Sequence, residues 1–349
     1  MEILLPSAQQ VESINLSRVA LADQMKTVES PNATFIDISG SCSADTNRTK
    51  RRKLAAVEHL FSLDEHARSL SNVTHFGRWV GSKPRTMYGP TGLIHEPGGS
   101  ELYTAGAREL TLAGIALASE VMDESDYAIA GPWLTTVWVG TRNDADTGPR
   151  YLVRPTSQDL DRGIYPAPAF IKSSRNGGLE DPIRAINTIM QDRPVTRTRL
   201  TLDGPKEVTT HPNMNVGLIL RGTDTKPTSA LADAILEEFG NAREVLDSEF
   251  GKNVIPILGD DSHGHALWGG GGAEGQLVFS YEKGELIASG KLTMLGSMGE
   301  SYNERGRQGE TGKVPGLSIT DECIGLQDAY DRLSMYDRSW EAHKLAVAA

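Results

Sequence analysis

Short apolar runs alternate with helix-length segments along most of the chain. In these runs the apolar residues are consecutive rather than alternating, which is typical of strands buried on both faces, as in parallel sheets. Eight strands with intervening helices in one chain predict an α/β fold of the (β/α)8 TIM-barrel type. The eight runs lie at residues 34–39, 75–80, 118–123, 135–140, 167–171, 215–220, 254–258 and 292–296.

Three stretches depart from this alternation. Residues 1–30 are predicted to form an N-terminal extension, and residues 31–349 a single barrel domain. Residues 196–211 alternate in polarity about Asp203-Gly204, which predicts an inserted β-hairpin. Residues 268–275 contain four consecutive glycines where the barrel pattern expects a helix to start, and we expect a mobile loop there. A closing helix is expected from about Asp321.

Polar residues follow the predicted strands, at the edge where (β/α)8 barrels place their active sites. Because every strand ends at polar residues, any one of these residues taken alone can simply mark the end of a strand. The bias toward cations, with a thiol, an imidazole and two carboxylates, instead indicates an active site. These residues are Cys42, Lys83, Arg85, Glu120, Arg142, Lys172, Arg221, His263 and Glu300.

The segment Lys83-Pro84-Arg85-Thr86 follows the second predicted strand. Proline fixes its own φ and biases the residue before it toward extended geometry, so the flanking cations are presented in a defined way. An ammonium, a guanidinium and a hydroxyl suit a phosphate group. The alternative is a solvated loop with surface ion pairs.

Four residues have the donor types that hold a divalent metal: Cys42, His263, Glu300 and Asp321. Thiolate, imidazole and carboxylate together suit Mn²⁺, Co²⁺, Fe²⁺ or Zn²⁺. A lone cysteine is equally compatible with a small buried hydrophobe, and Asp321 with a helix cap. His265 could be a further ligand, a hydrogen-bond partner or an exposed bystander.

The chain has 349 residues and a formal net charge of −11, which argues against nucleic acid or an anionic membrane as partner. The presence of only two cysteines argues against a disulfide framework and favours a reducing compartment. Because no apolar run reaches the length of a membrane span and no signal peptide is recognised, we expect a cytoplasmic protein. Six cations gathered in an acidic protein indicate polyanionic substrates; they are Arg78, Lys83, Arg85, Arg142, Lys172 and Arg221.

Taken together, these residues resemble the type I 3-deoxy-D-arabino-heptulosonate 7-phosphate (DAHP) synthases. The resemblance runs from about residue 33 to 333, and the segments that carry it are Gly40-Ser-Cys42-Ser, Arg78, Lys83-Pro-Arg-Thr86, Gly92-Leu-Ile, Gly140-Thr-Arg142, Phe170-Ile-Lys172, Ile219-Leu-Arg221-Gly, Asp261-Ser-His263-Gly, Gly299-Glu300-Ser and Ser318-Ile-Thr-Asp321-Glu-Cys-Ile-Gly. The Lys-Pro-Arg-Thr and Ser-Ile-Thr-Asp segments, in this order and at these distances, are specific together.

The resemblance implies a metal-dependent condensation of phosphoenolpyruvate (PEP) with erythrose 4-phosphate that releases phosphate. It implies that Cys42, His263, Glu300 and Asp321 ligate the metal and that Arg85 and Thr86 bind the aldose phosphate. Lys83 is expected to move a proton. The expected catalytic residues are Lys83 together with Cys42 and His263. The positions that match the PEP site are Arg78, Lys83, Glu120, Arg142, Lys172 and Arg221. A homodimer or homotetramer is expected.

Several loops depart from the family pattern. Gly-Pro-Cys-Ser is replaced by Gly40-Ser41-Cys42-Ser, and the asparagine expected after Ser-His-Ala/Gly is His265. These differences leave two alternatives open: the same chemistry with another aldose phosphate or amino-sugar phosphate, and a catalytically dead regulatory homologue. Cys42 and Cys323 are expected to approach each other and to make activity sensitive to oxidation. The arginines of the 196–211 hairpin predict weak inhibition by phenylalanine.

Overall fold

The structure is a computed structural model, which describes part of the chain. The described residues are 25, 33–43, 50–75, 78–81, 134–135, 150–151, 169–173, 176–191, 195–201, 204–210, 215–251, 255–309, 314–319 and 321–348. The extension at 1–30 therefore lies outside them, apart from Met25.

Nine of the strands in the described residues form one sheet, in the order β4-β3-β1-β11-β10-β9-β6-β5 with β2 beside β1. All pairs are parallel except β5 with β6. This pairing confirms the α/β prediction, whereas closure into a (β/α)8 barrel stays a prediction. The strands are β1 Phe35–Ser43, β2 Val73–His75, β3 Arg78–Gly81, β4 Leu134–Thr135, β5 Arg150–Tyr151, β6 Ala169–Lys172, β9 Val216–Leu220, β10 Ile257–Asp260 and β11 Gly296–Ser301.

The two remaining strands form a separate antiparallel hairpin, β7 Val195–Thr201 and β8 Gly204–Thr210. Its register pairs Val195 with Thr210 and Thr201 with Gly204, so the chain reverses between Thr201 and Gly204. Asp203 of the predicted turn lies outside the described residues. The structure therefore contains the hairpin that the alternating pattern predicted.

Six helices occur among the described residues, and the longer ones flank the sheet. They are α1 Lys50–Arg68, α2 Glu180–Gln191, α3 Leu231–Phe250, α4 His263–Trp268, α5 Gly272–Ala288 and α6 Leu326–Ala348. None of the helices in the part of the chain that the structure describes is long and apolar enough to span a membrane.

Two apolar clusters lie on opposite faces of the strands, because side chains alternate along each strand. Ile36, Ile38 and Ile219 belong to a small cluster, together with Phe170, Leu258 and Met298. Phe35 and Leu218 belong to the large cluster that also contains residues of the helices. By the same alternation Lys172, Asp260 and Glu300 share the face of the small cluster, while Asp37 and Ser39 share the face toward the helices.

Two strands extend further than their apolar runs predicted. β1 continues through Cys42, and β11 starts at Gly296 and contains Glu300, although the apolar residues precede it at 292–295. Small residues make this possible, because a Cβ on Gly296 would lie only 1.8 Å from the Ile36 carbonyl oxygen. The polar ligand candidates on these strands are therefore parts of the sheet rather than of the loops after it.

The glycine run does not form the loop that we expected. Gly269 ends α4, Gly271 precedes α5, and Gly272 is the first residue of that helix. Gly270, Gly271 and Gly272 all have positive φ, and the backbone N–H of Ala273 donates to Glu322 at 3.2 Å. Glycine tolerates these φ values, so the run makes a tight connection between two helices. The expected helix start at Asp321 is also wrong, since α6 begins at Leu326.

Candidate active site

A buried ion pair links two strands at their carboxyl ends. Lys172 is the last residue of β6, and its Nζ lies 2.8 Å from Oδ2 of Asp260, the last residue of β10. The strand between them, β9, ends one residue before Arg221, which is also buried. Two of the predicted substrate-binding cations, Lys172 and Arg221, are thus brought to the same edge of adjacent strands.

Asp260 gathers several donors around one carboxylate. Oδ1 accepts from the backbone N–H of Ser262 at 3.1 Å and from the Ser262 hydroxyl, and Oδ2 lies 3.0 Å from Nδ1 of His263. Burial alone would raise the pKa of Asp260, but the Lys172 ammonium and His263 lower it well below its usual value. The carboxylate is therefore ionised and holds Lys172 and His263 in place.

His263 has an unusual backbone conformation. Its φ is +57°, the one positive value among the non-glycine residues that the structure describes. Histidine visits this left-handed region more readily than most residues, but the conformation still needs support from its surroundings. That support comes from Nδ1, which lies 2.7 Å from the Ser262 hydroxyl and 3.0 Å from Asp260. The side chain is partly accessible, at 18%.

Three further site candidates lie on β1, β3 and β11. Gly40 of β1 pairs with Arg78 on one side and with Glu300 on the other, and Cys42 lies two residues beyond it on β1. The register therefore places Arg78 and Glu300 at one level of the sheet. Glu300 is buried, and both polar groups of its backbone are bound by the Gln276 side chain, at 2.8 and 3.0 Å.

The predicted metal ligands are only partly described. Among the described side chains, no three of His, Cys, Asp and Glu form a group that could hold a metal ion. His263, Glu300 and Asp321 alone therefore do not make a ligand group. The side chain of Cys42 lies outside the description, so the set of four stays a prediction. Asp321 is exposed and precedes α6 by several residues, which excludes the helix-cap reading.

Five predicted site residues lie outside the described residues, namely Lys83, Arg85, Thr86, Glu120 and Arg142. Arg78 and Cys42 are described as backbone positions on their strands. The expected approach of Cys42 to Cys323 is likewise untested, and Cys323 is fully buried beside Ala55 and Tyr302.

A second charged cluster lies behind β1, β10 and β11, on the face toward the helices. Arg332 of α6 places Nη1 2.7 Å from Asp37 and Nη2 2.8 Å from Asp261, which also binds Lys283 and Tyr336. Burial raises the pKa of Asp261, but Lys283 and Arg332 bring it down to about 2. Burial lowers the pKa of Lys283 despite this partner. The cluster fixes the end of β10, which carries Asp260 and leads to His263.

The sequence patterns did not identify Asp260 or Glu238, and they left the role of His265 open. Asp260 had a usable signal, because it is the first charged residue after the 254–258 run, but only His263 was selected. His265 proves to be a hydrogen-bond partner: Nε2 lies 2.6 Å from Glu238, and Nδ1 donates to the Asp260 carbonyl oxygen at 2.7 Å.

Comparison with known proteins gives a likeness of fold. No protein-family model matches the sequence, and no curated protein matches it either. Among solved structures, the chain is similar to a phospho-2-dehydro-3-deoxyheptonate aldolase from Francisella tularensis SCHU S4, with a TM-score of 0.65 at 19% sequence identity. The match covers 98% of this chain and 94% of that chain. The chain therefore shares the overall fold of that enzyme.

Proposed function

We propose that this protein is a transferase that forms a carbon–carbon bond between PEP and erythrose 4-phosphate, giving DAHP and phosphate. The observation that carries the proposal is the pair of buried cations, Lys172 and Arg221, at the carboxyl ends of adjacent parallel strands. The likeness of fold to an enzyme named for this heptonate phosphate supports the same reaction class. The sequence resemblance nominates the substrates.

The two cations suit the two anionic groups of PEP. A guanidinium binds a carboxylate or phosphate through two parallel hydrogen bonds, and an ammonium adds a compact charge. Asp260 fixes the Lys172 ammonium at 2.8 Å before any ligand arrives, so little reorganisation is needed on binding. Arg78 lies on β3, four strands from β9 in the sheet order and at the level of Glu300, and completes the proposed PEP site with Lys83, Glu120 and Arg142.

In the proposed reaction, C3 of PEP attacks the aldehyde carbon while water adds to C2, and phosphate then leaves. The aldehyde oxygen receives a proton, for which Lys83 is the proposed donor. Cations around PEP stabilise the charge that moves onto its phosphate. Arg85 and Thr86 would hold the phosphate of the aldose, which sets the distance between the aldehyde and C3.

The proposal includes a divalent metal ion, with Cys42, His263, Glu300 and Asp321 as its nominated ligands. Such an ion supplies Lewis-acid polarisation of a carbonyl oxygen. The proposed ligand set is tested by metal analysis of the purified protein after dialysis against Mn²⁺, Co²⁺, Fe²⁺ or Zn²⁺. Replacement of His263 by glutamine should lower the bound metal, whereas the same change at His66 of α1, a half-buried histidine that bonds to Ser334, should not.

The acceptor is tested by substrate competition. Purified protein is incubated with PEP and one of erythrose 4-phosphate, arabinose 5-phosphate or an amino-sugar phosphate, and released phosphate and product mass are measured. We expect turnover with erythrose 4-phosphate. Turnover with only another acceptor would support the proposed condensation but show that its acceptor is not erythrose 4-phosphate. The altered loops around His265 make such an acceptor the second candidate.

The proposal would be contradicted if no acceptor supported turnover and neither PEP nor metal bound to the protein. If calorimetry detects no PEP binding and metal analysis detects no metal, the protein is a non-catalytic homologue. Replacement of Arg221 by methionine should weaken PEP binding. Arg184→Met provides the matched control, because Arg184 is exposed and pairs with Asp181 at the surface. We also propose a homodimer or homotetramer, which sedimentation analysis can test.

A further inference from the structure

His265 is held in a fixed orientation behind the candidate site. It is fully buried, its ring stacks on Phe279 with centroids 4.0 Å apart, and Trp268 meets it edge-on at 5.0 Å. The Asp260 carbonyl oxygen can only accept, so Nδ1 of His265 donates to it at 2.7 Å. One proton lies between Nε2 and Oε2 of Glu238, which are 2.6 Å apart.

Glu238 reaches from α3 to the other strand of the site. Its second oxygen accepts from the backbone N–H of Gly222 at 3.2 Å, the residue directly after Arg221. The backbone N–H of His265 donates to the Arg221 carbonyl oxygen at 3.0 Å. The carboxyl ends of β9 and β10 are thus joined by a continuous set of hydrogen bonds through Glu238 and His265.

Gly222 shows how closely these parts are packed. Its φ is +69°, and a Cβ there would lie 2.6 Å from Cδ2 of His265 and 2.8 Å from the His265 backbone nitrogen. The turn after Arg221 therefore rests directly on the imidazole ring. Any shift of the ring would move the backbone that carries Arg221.

We propose that Glu238 and His265 act as positioning residues that set the distance between Arg221 and the Lys172–Asp260 pair. We call this arrangement the Glu238–His265 clamp. It rests on the proposed function, because the clamp sets the spacing between the cations that bind the two anionic groups of PEP. The clamp contacts the carboxyl ends of β9 and β10. Arg221 directly follows β9, and Asp260, the partner of Lys172, is the last residue of β10. A positioning defect is therefore expected in the affinity for PEP and not in the affinity for the aldose phosphate, whose proposed contacts lie at Arg85 and Thr86.

Three substitutions of Glu238 separate the clamp from simple packing. Glu238→Ala removes both hydrogen bonds and leaves buried donors unpaired. Glu238→Gln can keep both, because its carbonyl oxygen can accept from Gly222 while its amide donates to a neutral His265. Glu238→Asp keeps the charge, but its shorter arm cannot reach both partners. Glu237→Ala, on the exposed neighbour in the same helix, is the matched control.

The readouts are the KM values for PEP and for the aldose phosphate, with kcat. We expect Glu238→Ala to raise the KM for PEP about 5- to 50-fold, as the loss of one or two buried hydrogen bonds implies, with the aldose phosphate KM within about twofold. Glu238→Asp should raise the PEP KM by a smaller factor, and Glu238→Gln should recover most of the affinity. A folded Glu238→Asp or Glu238→Ala protein with an unchanged KM for PEP would overturn the clamp, as would equal rises in both KM values.

A second measurement keeps the two proposals apart. Hydrogen exchange of the Gly222 and His265 amides should be at least tenfold faster in Glu238→Asp than in wild type or Glu237→Ala. If wild type neither binds PEP nor releases phosphate, the proposed function fails and the exchange rates decide the clamp. Unchanged exchange in Glu238→Asp would then show that Glu238 does not hold these strand ends.

Discussion

The Nζ atom of Lys172 lies 2.8 Å from Oδ2 of Asp260, and both side chains are at most 1% exposed. A buried ion pair is stable only when hydrogen bonds satisfy the remaining oxygens. Here Ser262 and His263 supply them, so one carboxylate links the end of β6 with the start of α4. The pair therefore couples a substrate-binding cation to the segment that carries the predicted metal ligand His263.

Removing one partner of this pair should destabilise the fold strongly. We expect Lys172→Met to lower the free energy of unfolding by about 3–5 kcal/mol, because the buried Asp260 carboxylate loses its ammonium partner. Urea unfolding measures the change. Arg184→Met is the control, since the exposed Arg184–Asp181 pair should contribute less than about 1 kcal/mol.

The double variant Lys172→Met/Asp260→Leu completes the cycle. If the pair interacts as the distance implies, the double variant should be more stable than Lys172→Met alone, because no buried charge is left unpaired. Additive effects of the two substitutions would contradict the ion pair.

Sequence patterns located several strand ends because continuous apolar runs end at polar residues. Lys172 and Arg221 follow such runs, and the structure places both at one edge of a parallel sheet. The hairpin of β7 and β8 was predictable for a similar reason, since local turn chemistry and alternation determine it.

Interactions between distant residues left no such signal. Arg332 binds Asp37 and Asp261, which are 295 and 71 positions away in the chain, and no local pattern marks it as a buried cation. The strand limits at Glu300 were also missed, because small buried glycines and serines look polar in sequence yet form the inner strand β11. Tertiary packing overrides propensity at both places.

Arg332 should be among the residues most sensitive to substitution in α6. Arg332→Met would leave Asp37 and Asp261 in a buried site with one cation fewer, and we expect a loss of about 3–5 kcal/mol in unfolding free energy. Arg332→Lys keeps the charge but cannot span both carboxylates, so a loss of about 1–3 kcal/mol is expected. Arg338→Met, exposed on the same helix, should change stability by less than about 0.5 kcal/mol. A tolerated Arg332→Met would contradict the role of the cluster.

Two helical glycines should respond in opposite directions to alanine. A Cβ on Gly275 of α5 would lie 2.0 Å from the Ala266 carbonyl oxygen, so Gly275→Ala must separate α5 from α4 and should cost more than about 2 kcal/mol. Gly240 of α3 has open space around its Cβ position, and Gly240→Ala should stabilise the protein by about 0.5–1 kcal/mol. Thermal melting of both variants tests the contrast, and destabilisation by Gly240→Ala would show that α3 is packed differently.

His59 of α1 should make the fold sensitive to mild acid. Nε2 lies 2.8 Å from the Ser301 hydroxyl, and the ring is fully buried. Burial, together with the neighbouring His75, lowers the pKa of His59 to about 3, against a weaker opposing hydrogen bond from Asn303. The unfolded chain therefore binds this proton first, near pH 6.5, and stability falls as the pH drops from there toward 3.

The expected slope is at most about 1.4 kcal/mol per pH unit, or about 2 kcal/mol between pH 7 and 5. The depressed pKa of Asp261 affects stability only below its usual value near 3.8, so it does not contribute in this interval. Replacement of His59 by glutamine keeps a donor for Ser301 and removes the titration. Urea unfolding at pH 7 and 5 should then show a smaller loss for His59→Gln than for wild type or for His66→Gln, on the same helix. Equal losses in all three proteins would mean that His59 takes up its proton in the folded state as well.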